Sequence, residues 1–389
     1  MRPVSFYLIS DSYPPVLGGS EVEAQRISVG MIARGHQVKV LCAGGPPMPE
    51  LRHWVDPEGV PVEILTRNSR GRWKDVVFAV EVAWRLWRDR NRYELVYFLM
   101  QGLHLATGLW VARLLGKPIV MKFGGSGVIP LMRASRVGKW ELDWMKQWAS
   151  RLMVLNEGMV REAVEDGFRR EQLYWMPNPT DVTVFAPAEA GELSRLRAER
   201  ELDGGVPVFL YVGRLAAEKG LKWLVEGFAQ AWKAEPRAVL VLLGDGPLRG
   251  ELQELARSLG MGPETVRMPG RVRPVEVALW LKVADVFALT SPSEGFSCAL
   301  AEAMSCGLAS VVSDIEANSQ LVQDGVEGRL VPVGDVGRIG EAFSELMRSG
   351  ELRREMGQAA RRRIVENYSL DKVVARYEDL FSEILKAGQ

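Results

Sequence analysis

Short apolar runs alternate along the chain with segments whose apolar residues recur every three or four positions. Runs at 4–9, 38–42, 95–99 and 119–123, with another near 152–155, read as buried strands. The intervening segments have helical spacing, the pattern of a parallel sheet covered by helices on both faces. The clearest helix starts at Ser20, where Ser20 and Glu23 are spaced as a capping box, and ends at Gly35. A second series follows, with strands at 208–212, 239–243, 286–289 and 310–312 and helices such as 221–233 and 248–259. The stretch 176–192, MPNPTDVTVFAPAEAGE, is rich in Pro and small residues and predicts a linker. Helices return from 351 to about 386.

At 389 residues the chain exceeds the size of a single hydrophobic core. The expectation is therefore an α/β protein of two Rossmann-like domains, 1–182 and 183–368, facing each other across a cleft. The closing segment, 369–389, is expected to pack back on the first domain. Open parallel sheets bind ligands beyond the carboxyl ends of their strands, which places candidate chemistry in the loops that follow the strands.

Composition changes this picture little. Hydrophobic residues make up 47% and charged residues 25%, and the formal net charge is zero, so nothing global points to nucleic acid. Residues 1–185 carry 24 Lys+Arg against 19 Asp+Glu, and the remainder carry 25 against 30. A basic half suits an anionic surface; a fluctuation over a large surface explains it equally well. Three cysteines, Cys42, Cys298 and Cys306, form neither a disulfide framework nor a zinc pattern, which fits a reducing cytosol. The opening run MRPVSFYLIS is too brief for a leader's apolar region and reads as a first strand. Residues 95–112 hold no charged side chain if His104 is neutral, but polar and glycine interruptions favour a strand and a helix over a membrane span.

Four loops of the second half carry candidate chemistry. VGRLAAEKG (212–220) offers Arg214 and Lys219 as a clamp for a diphosphate, although alone it equally suits two solvated cations. LLGDGPLRG (243–250) brings Gly244 and Gly246, whose backbone lets the chain approach a flat ligand. With Gly250 it also loosely fits a dinucleotide fingerprint. PGRVRP (269–274) contributes Arg271. In TSPSEGFSCALAEAMSCG (290–307) a helix is predicted from near Phe296, with Glu294 in the loop before it and Glu302 two turns along. Helical rise separates their backbones by roughly 12 Å, comparable to the span between a ribose and a donor sugar. Each carboxylate accepts two hydrogen bonds, as vicinal hydroxyls require.

The order GRLAAEKG, GDGP, PGRV and SPSEGFSCALAEAMSCG resembles the donor domain of family 4 glycosyltransferases, with Glu294 and Glu302 as its pair of acids with seven residues between them. YPPVLGGSE (13–21) and RGHQVKVL (34–41) resemble that family's opening strand–loop–helix and second strand. The resemblance covers nearly the whole chain. It implies a GT-B fold and a retaining, metal-independent transfer from a UDP- or GDP-linked sugar to a sugar or glycolipid acceptor, as in bacterial polysaccharide assembly. No cofactor and no metal are implied.

By the same resemblance Arg214 and Lys219 bind the donor diphosphate and neutralise the leaving phosphate. Glu302 holds the ribose, and Glu294 contacts the sugar beside the amides of Gly295, Phe296 and Ser297. Gly18 and Gly19 bring the first loop's amides against the phosphates. Many members carry a histidine where Gly124 stands here, after the strand in PIVMKFGGSG (118–127). Lys122 and His104 are alternative first-domain site residues, with a solvated lysine and a structural histidine as their ordinary readings. Asn178 matches a family position often followed by glycine, here Pro179, and suggests a role in interdomain geometry.

Trp140, Trp144 and Trp148 recur at helical spacing among basic residues, and RGRWKDVVFAVEVAWRLWRDRNR (70–92) repeats the mixture. Packing is one reading; docking on an anionic membrane, from a cytoplasmic location, is the other. Two rival functions stay open. A nucleotide-sugar-binding pseudoenzyme would bind donor without transfer. An NAD-dependent oxidoreductase would leave Glu294 and Glu302 without a role.

Overall fold

The computed structural model describes residues 2–16, 18–44, 51–66, 72–99 and 101–387. Within it the chain divides into two compact units, 1–179 with 370–389, and 180–369. The first division thus falls at Pro179/Thr180 rather than after 182, inside the Pro-rich stretch, and Ser369 belongs to the second unit.

Unit 1 runs β1 (Ser5–Ser10), α1 (Gly19–Ala33), β2 (Gln37–Cys42), β3 (His53–Val55), β4 (Pro61–Ile64), α2 (Arg72–Arg88) and β5 (Leu95–Phe98). It continues through α3 (Leu103–Leu114), β6 (Ile119–Lys122), α4 (Val128–Arg133), α5 (Arg136–Trp148), β7 (Arg151–Val154), α6 (Glu157–Glu165) and β8 (Leu173–Trp175). Its eight strands lie in the order β3-β4-β2-β1-β5-β6-β7-β8, parallel except for β3 against β4. The uncharged run over 95–112 is β5 and α3, as its interruptions require. Among the described residues no helix is long and apolar enough to cross a membrane.

Unit 2 runs α7 (Ala190–Glu199), β9 (Val208–Val212), α8 (Leu221–Trp232), β10 (Val239–Leu243), α9 (Arg249–Ser258), β11 (Val266–Gly270) and α10 (Pro274–Val283). Then come β12 (Val286–Leu289), α11 (Cys298–Ser305), β13 (Ala309–Ser313), α12 (Glu316–Ser319), β14 (Gly328–Val331), α13 (Val336–Arg348) and α14 (Gly350–Asn367). Six parallel strands lie in the order β11-β10-β9-β12-β13-β14. That is the Rossmann order, with its topological switch point between β9 and β12.

The last helix, α15 (Leu370–Ala387), belongs to unit 1. Its apolar positions Val373, Val374, Tyr377, Leu380, Phe381 and Ile384 follow the helical period and are buried with Phe6, Leu8 and Tyr97 of the sheet. Gly30 of α1 permits this approach, because a Cβ there would stand 2.4 Å from a Val374 methyl.

Helix α1 ends at Gly35, which takes φ +85° and donates to the Ile32 carbonyl. Its start departs from expectation. Gly18 is the N-cap without a side-chain cap, and the Ser20–Glu23 box does not form. Ser20 donates instead to the Glu21 carboxylate at 2.9 Å, and Glu23 turns inward to pair with Lys122.

Candidate functional site

The switch point of unit 2 brings two of the sequence candidates together. After β9 the chain turns through Gly213 and Arg214 into a short 3-10 turn at Ala217–Lys219, and after β12 it runs through Thr290 to Ser297. The Lys219 ammonium crosses between these loops to donate to Glu294 Oε1 at 2.7 Å. The two side chains keep 24% and 15% of their surface exposed, so the pair is half-open to solvent. The Thr290 hydroxyl donates to the Gly220 carbonyl at 3.0 Å and ties the same two loops. Gly220 sits at φ +64°, and a Cβ there would meet the Thr290 carbonyl oxygen at 2.3 Å. Only glycine fits this closure.

A second close approach joins the loops after β9 and β10. Gly244, at φ +145°, would carry a Cβ only 1.9 Å from the Gly213 carbonyl oxygen, and a Cβ on Gly246 would lie 2.4 Å from that of Leu215. The Leu215 amide donates to the Asp245 carbonyl at 2.9 Å. These glycines therefore hold loop against loop, a structural role the sequence reading did not separate from ligand approach. Burial, with the Glu294 carboxylate adding to it, pushes the Tyr211 phenol well above its ordinary range. The hydroxyl donates to the Arg214 carbonyl at 2.9 Å and fixes the turn.

The remaining second-half candidates are placed less uniformly. Arg214 is exposed and pairs with Glu218 one turn on. Helix α11 begins at Cys298, two residues later than expected, so Glu302 lies about one turn into it and is partly exposed. Gly295 is partly exposed in the loop before it. Phe296 is buried and meets the Tyr368 ring at 6.1 Å. Ser297 donates its hydroxyl to Asn318 Oδ1 at 2.6 Å, while Asn318 donates to the Ser313 carbonyl. Asn318 and Thr290, both fully buried, went unnoticed in the sequence because nothing local marks their partners. Arg271 follows β11, the edge strand, and stands exposed two strands away from β9.

In unit 1 the order reverses between β1 and β5. There His104, in the first turn of α3, lies buried with Nδ1 3.4 Å from Asp11 Oδ1 and its ring 4.7 Å from Phe78. Burial first, then the nearby Asp75 carboxylate, pushes the Asp11 carboxyl up to about 6. Asp11 was missed by the sequence reading, although an acid immediately after a buried strand is a visible signal. Gly124 is exposed beyond β6.

Lys122 departs from its ordinary reading: it is not solvated. Its side chain is buried, pairs with Glu23 and donates to Asn178 Oδ1 at 2.7 Å. Tyr377 of α15 donates to the same Glu23 at 3.3 Å, and its hydroxyl lies 3.0 Å from that of Tyr97. Asn178 thus serves the interior of unit 1. Gly18 and Gly19 are exposed at the start of α1, where the Glu21 carboxylate accepts from Ser12 at 2.5 Å and lies over Gly18. Leu17 of that loop, and residues 70–71 of the basic aromatic stretch, lie outside the described residues.

Two Rossmann-like units, each with polar side chains at its switch point, make up the GT-B fold of nucleotide-dependent glycosyltransferases. The family model for glycosyl transferases group 1 matches residues 194–363, and that for the glycosyl transferase 4-like domain matches 18–179. The chain belongs to the family 4 glycosyltransferases and is an enzyme. It is 26% identical over 383 residues to an alpha-D-kanosaminyltransferase of Streptomyces kanamyceticus, covering 91% of this chain and 97% of that one. It is likewise 26% identical over 384 residues to a phosphatidyl-myo-inositol mannosyltransferase of Mycobacterium leprae, covering 96% and 95%. The crystal structure of Anabaena HepE with UDP and glucose superposes with a TM-score of 0.81 at 18% identity, over 98% of this chain and all of that one.

Proposed function

We propose that unit 2 binds a nucleoside diphosphate sugar and that the enzyme transfers the sugar, with retention and without a metal ion, to a hydroxyl of a lipid-linked or polysaccharide precursor. The Lys219–Glu294 pair at the switch point carries this reading. A cation held by a half-open carboxylate can exchange it for a diphosphate, which offers more charge and more acceptor oxygens. Arg214 sits on the same loop, and its side chain and that of its partner Glu218 are both exposed. Glu302 on α11 supplies a carboxylate for ribose hydroxyls, and Glu294 one for the sugar.

In the transfer the bond from the anomeric carbon to the phosphate oxygen breaks, and the bond to the acceptor oxygen forms on the same face. The acceptor proton passes to the departing phosphate oxygen. Lys219 and Arg214 stabilise the charge gathering on that phosphate, the task elsewhere given to a metal. The Asp11–His104 pair at the switch point of unit 1 is suited to receive the acceptor hydroxyl.

The test is a melting-temperature panel with UDP, GDP and ADP in EDTA, wild type beside Glu302→Ala. Saturation at about 100 times Kd adds about 2.7 kcal/mol, a rise of several degrees. A shift with one nucleotide, lost in the variant, supports the reading; a shift with none sinks it. A shift without sugar transfer or slow donor hydrolysis would leave a binding protein.

A further inference from the structure

Helix α2 buries Phe78, Ala79, Val82 and Leu86 against unit 1, and its opposite face ought to be polar. It is not. Trp73, Val76, Val77, Val80, Trp84 and Trp87 follow one another at three- and four-residue spacing along that outer face, all exposed. Helix α3 repeats the pattern with Leu103, Trp110 and Leu114, and α5 with Val137 and Trp140, beside the stacked rings of Trp144 and Trp148. Trp73 is 74% exposed, Trp140 60%, Trp87 57% and Trp110 54%. Single exposed apolar side chains are ordinary; contiguous stripes on adjoining helices mark an interaction surface.

Helix α2 packs beside α3, and α3 beside α5. Between them lies a groove of about 450 Å³ lined by Ala83, Ala106, Thr107, Trp110, Val111 and Trp144. The Thr107 hydroxyl is spent on the Ala79 carbonyl at 2.7 Å, so the groove offers little to a polar ligand.

Charge decides what covers this face. Over residues 73–88, 103–114 and 136–148 there are seven Lys and Arg against four Asp and Glu; Arg85 and Glu141 are buried, which leaves six against three. Arg88, Arg113, Arg136 and Lys139 are exposed among the stripes. The Arg88 guanidinium lies 4.8 Å from the Trp84 ring, and that of Arg90 lies 5.1 Å from Trp87. A second copy would set this cationic rim against itself in a two-fold contact. Indole rings among exposed cations suit the headgroup level of an anionic bilayer.

We propose that the outer faces of α2, α3 and α5 dock unit 1 on an anionic phospholipid membrane, with the tryptophans at the headgroup–acyl boundary and a lipid tail in the groove. This deepens the acceptor side of the proposed function, since a docked unit 1 meets a lipid-linked acceptor at the bilayer surface. It does not depend on the donor site.

The experiment is co-sedimentation of the full chain with phosphatidylcholine vesicles, with and without phosphatidylglycerol, at low and high salt. Expected is binding that needs phosphatidylglycerol, weakens at least about tenfold at high salt, and brings quenching of tryptophan by lipids brominated within the chain. The double variant Trp84→Ser/Trp87→Ser, altered only on the outer face, should lose binding about tenfold or more while keeping the nucleotide-induced melting shift. Absence of wild-type binding, or full binding by the double variant, overturns the proposal. So does a wild-type dimer in light scattering that the double variant dissolves without any vesicle binding, which would assign the face to a second copy. Vesicle binding without a nucleotide shift would leave the docking face standing and remove the donor reading.

Discussion

Each unit joins a lysine to a glutamate near its switch point, and the two pairs live in different surroundings. Lys219 and Glu294 meet between loops of unit 2 with part of both side chains open to water. Lys122 and Glu23 meet inside unit 1, where 1% and 6% of their side-chain surface remains exposed and Asn178 and Tyr377 complete the network. A half-open pair can exchange one partner for a ligand at modest cost. A buried pair cannot, because the abandoned charge has no water to receive it. The same two residue types therefore form the pair on which the proposed donor site rests in one unit, and a fastening for α15 in the other. Burial distinguishes them, not identity or position at a strand end.

Removing the lysine from each pair tests this division most severely. Lys122→Met leaves Glu23 buried without its cation and should cost about 3–5 kcal/mol. For a unit of this size that lowers the melting temperature by roughly 10 °C, read by calorimetry. Nucleotide binding measured below the new melting point should be unchanged. Lys219→Met should do the reverse, leaving the melting temperature within a degree or two and lowering kcat about 10²–10³-fold. A destabilised Lys219→Met protein, or a Lys122→Met protein with normal stability, would erase the distinction.

The long strands were legible because continuous apolar runs bounded by turn residues leave little choice. The short ones were not. Strand β3 is three residues with an exposed Val55, β11 ends in Pro269–Gly270, and β14 opens with Gly328. Such strands owe their existence to the neighbour they pair with. The glycine-rich turns of unit 2 could be placed after their strands because turn residues are a local signal, but the contacts of Gly244 with Gly213 and of Gly246 with Leu215 could not, since those partners lie a helix and a strand away. Nor could those of Lys122, since its partners Glu23 and Asn178 lie 99 and 56 residues away. The capping box failed for the same reason: Glu23 answers to Lys122, not to the end of its helix. Helical spacing correctly grouped the tryptophans onto faces. Periodicity alone does not say which way a face points, and Trp140 points outward.

A smaller effect is expected at the unit 1 switch point. With its carboxyl raised to about 6, Asp11 is protonated below that pH and charged above it. Asp11→Asn should lower kcat/KM about tenfold at pH 8, the loss of one charge-assisted hydrogen bond. It should also flatten the acid limb that wild type shows near pH 6. A variant whose pH profile matches wild type would move the acceptor site elsewhere.

The smallest effect separates a charge that unit 1 needs from one it merely tolerates. Glu141 of α5 is buried beside the groove, where burial pushes its carboxyl up to about 7 against the lowering effect of a hydrogen bond from the Ala106 amide. Among the described residues no cation acts on it as the lysine that faces Glu23 does. The folded-state value lies above the unfolded 4.5, so its contribution is fully present below pH 4.5 and is lost as pH rises through about 7. Glu141→Gln keeps the acceptor for Ala106 and removes the charge. The shift sets a ceiling of about 3 kcal/mol, and the new amide N–H, needing its own partner, offsets part of it. The variant should therefore gain about 1 kcal/mol at pH 8 and nothing at pH 4, read as paired melting curves. A loss at pH 8 would mean that Glu141, like Glu23, has a partner that depends on its charge.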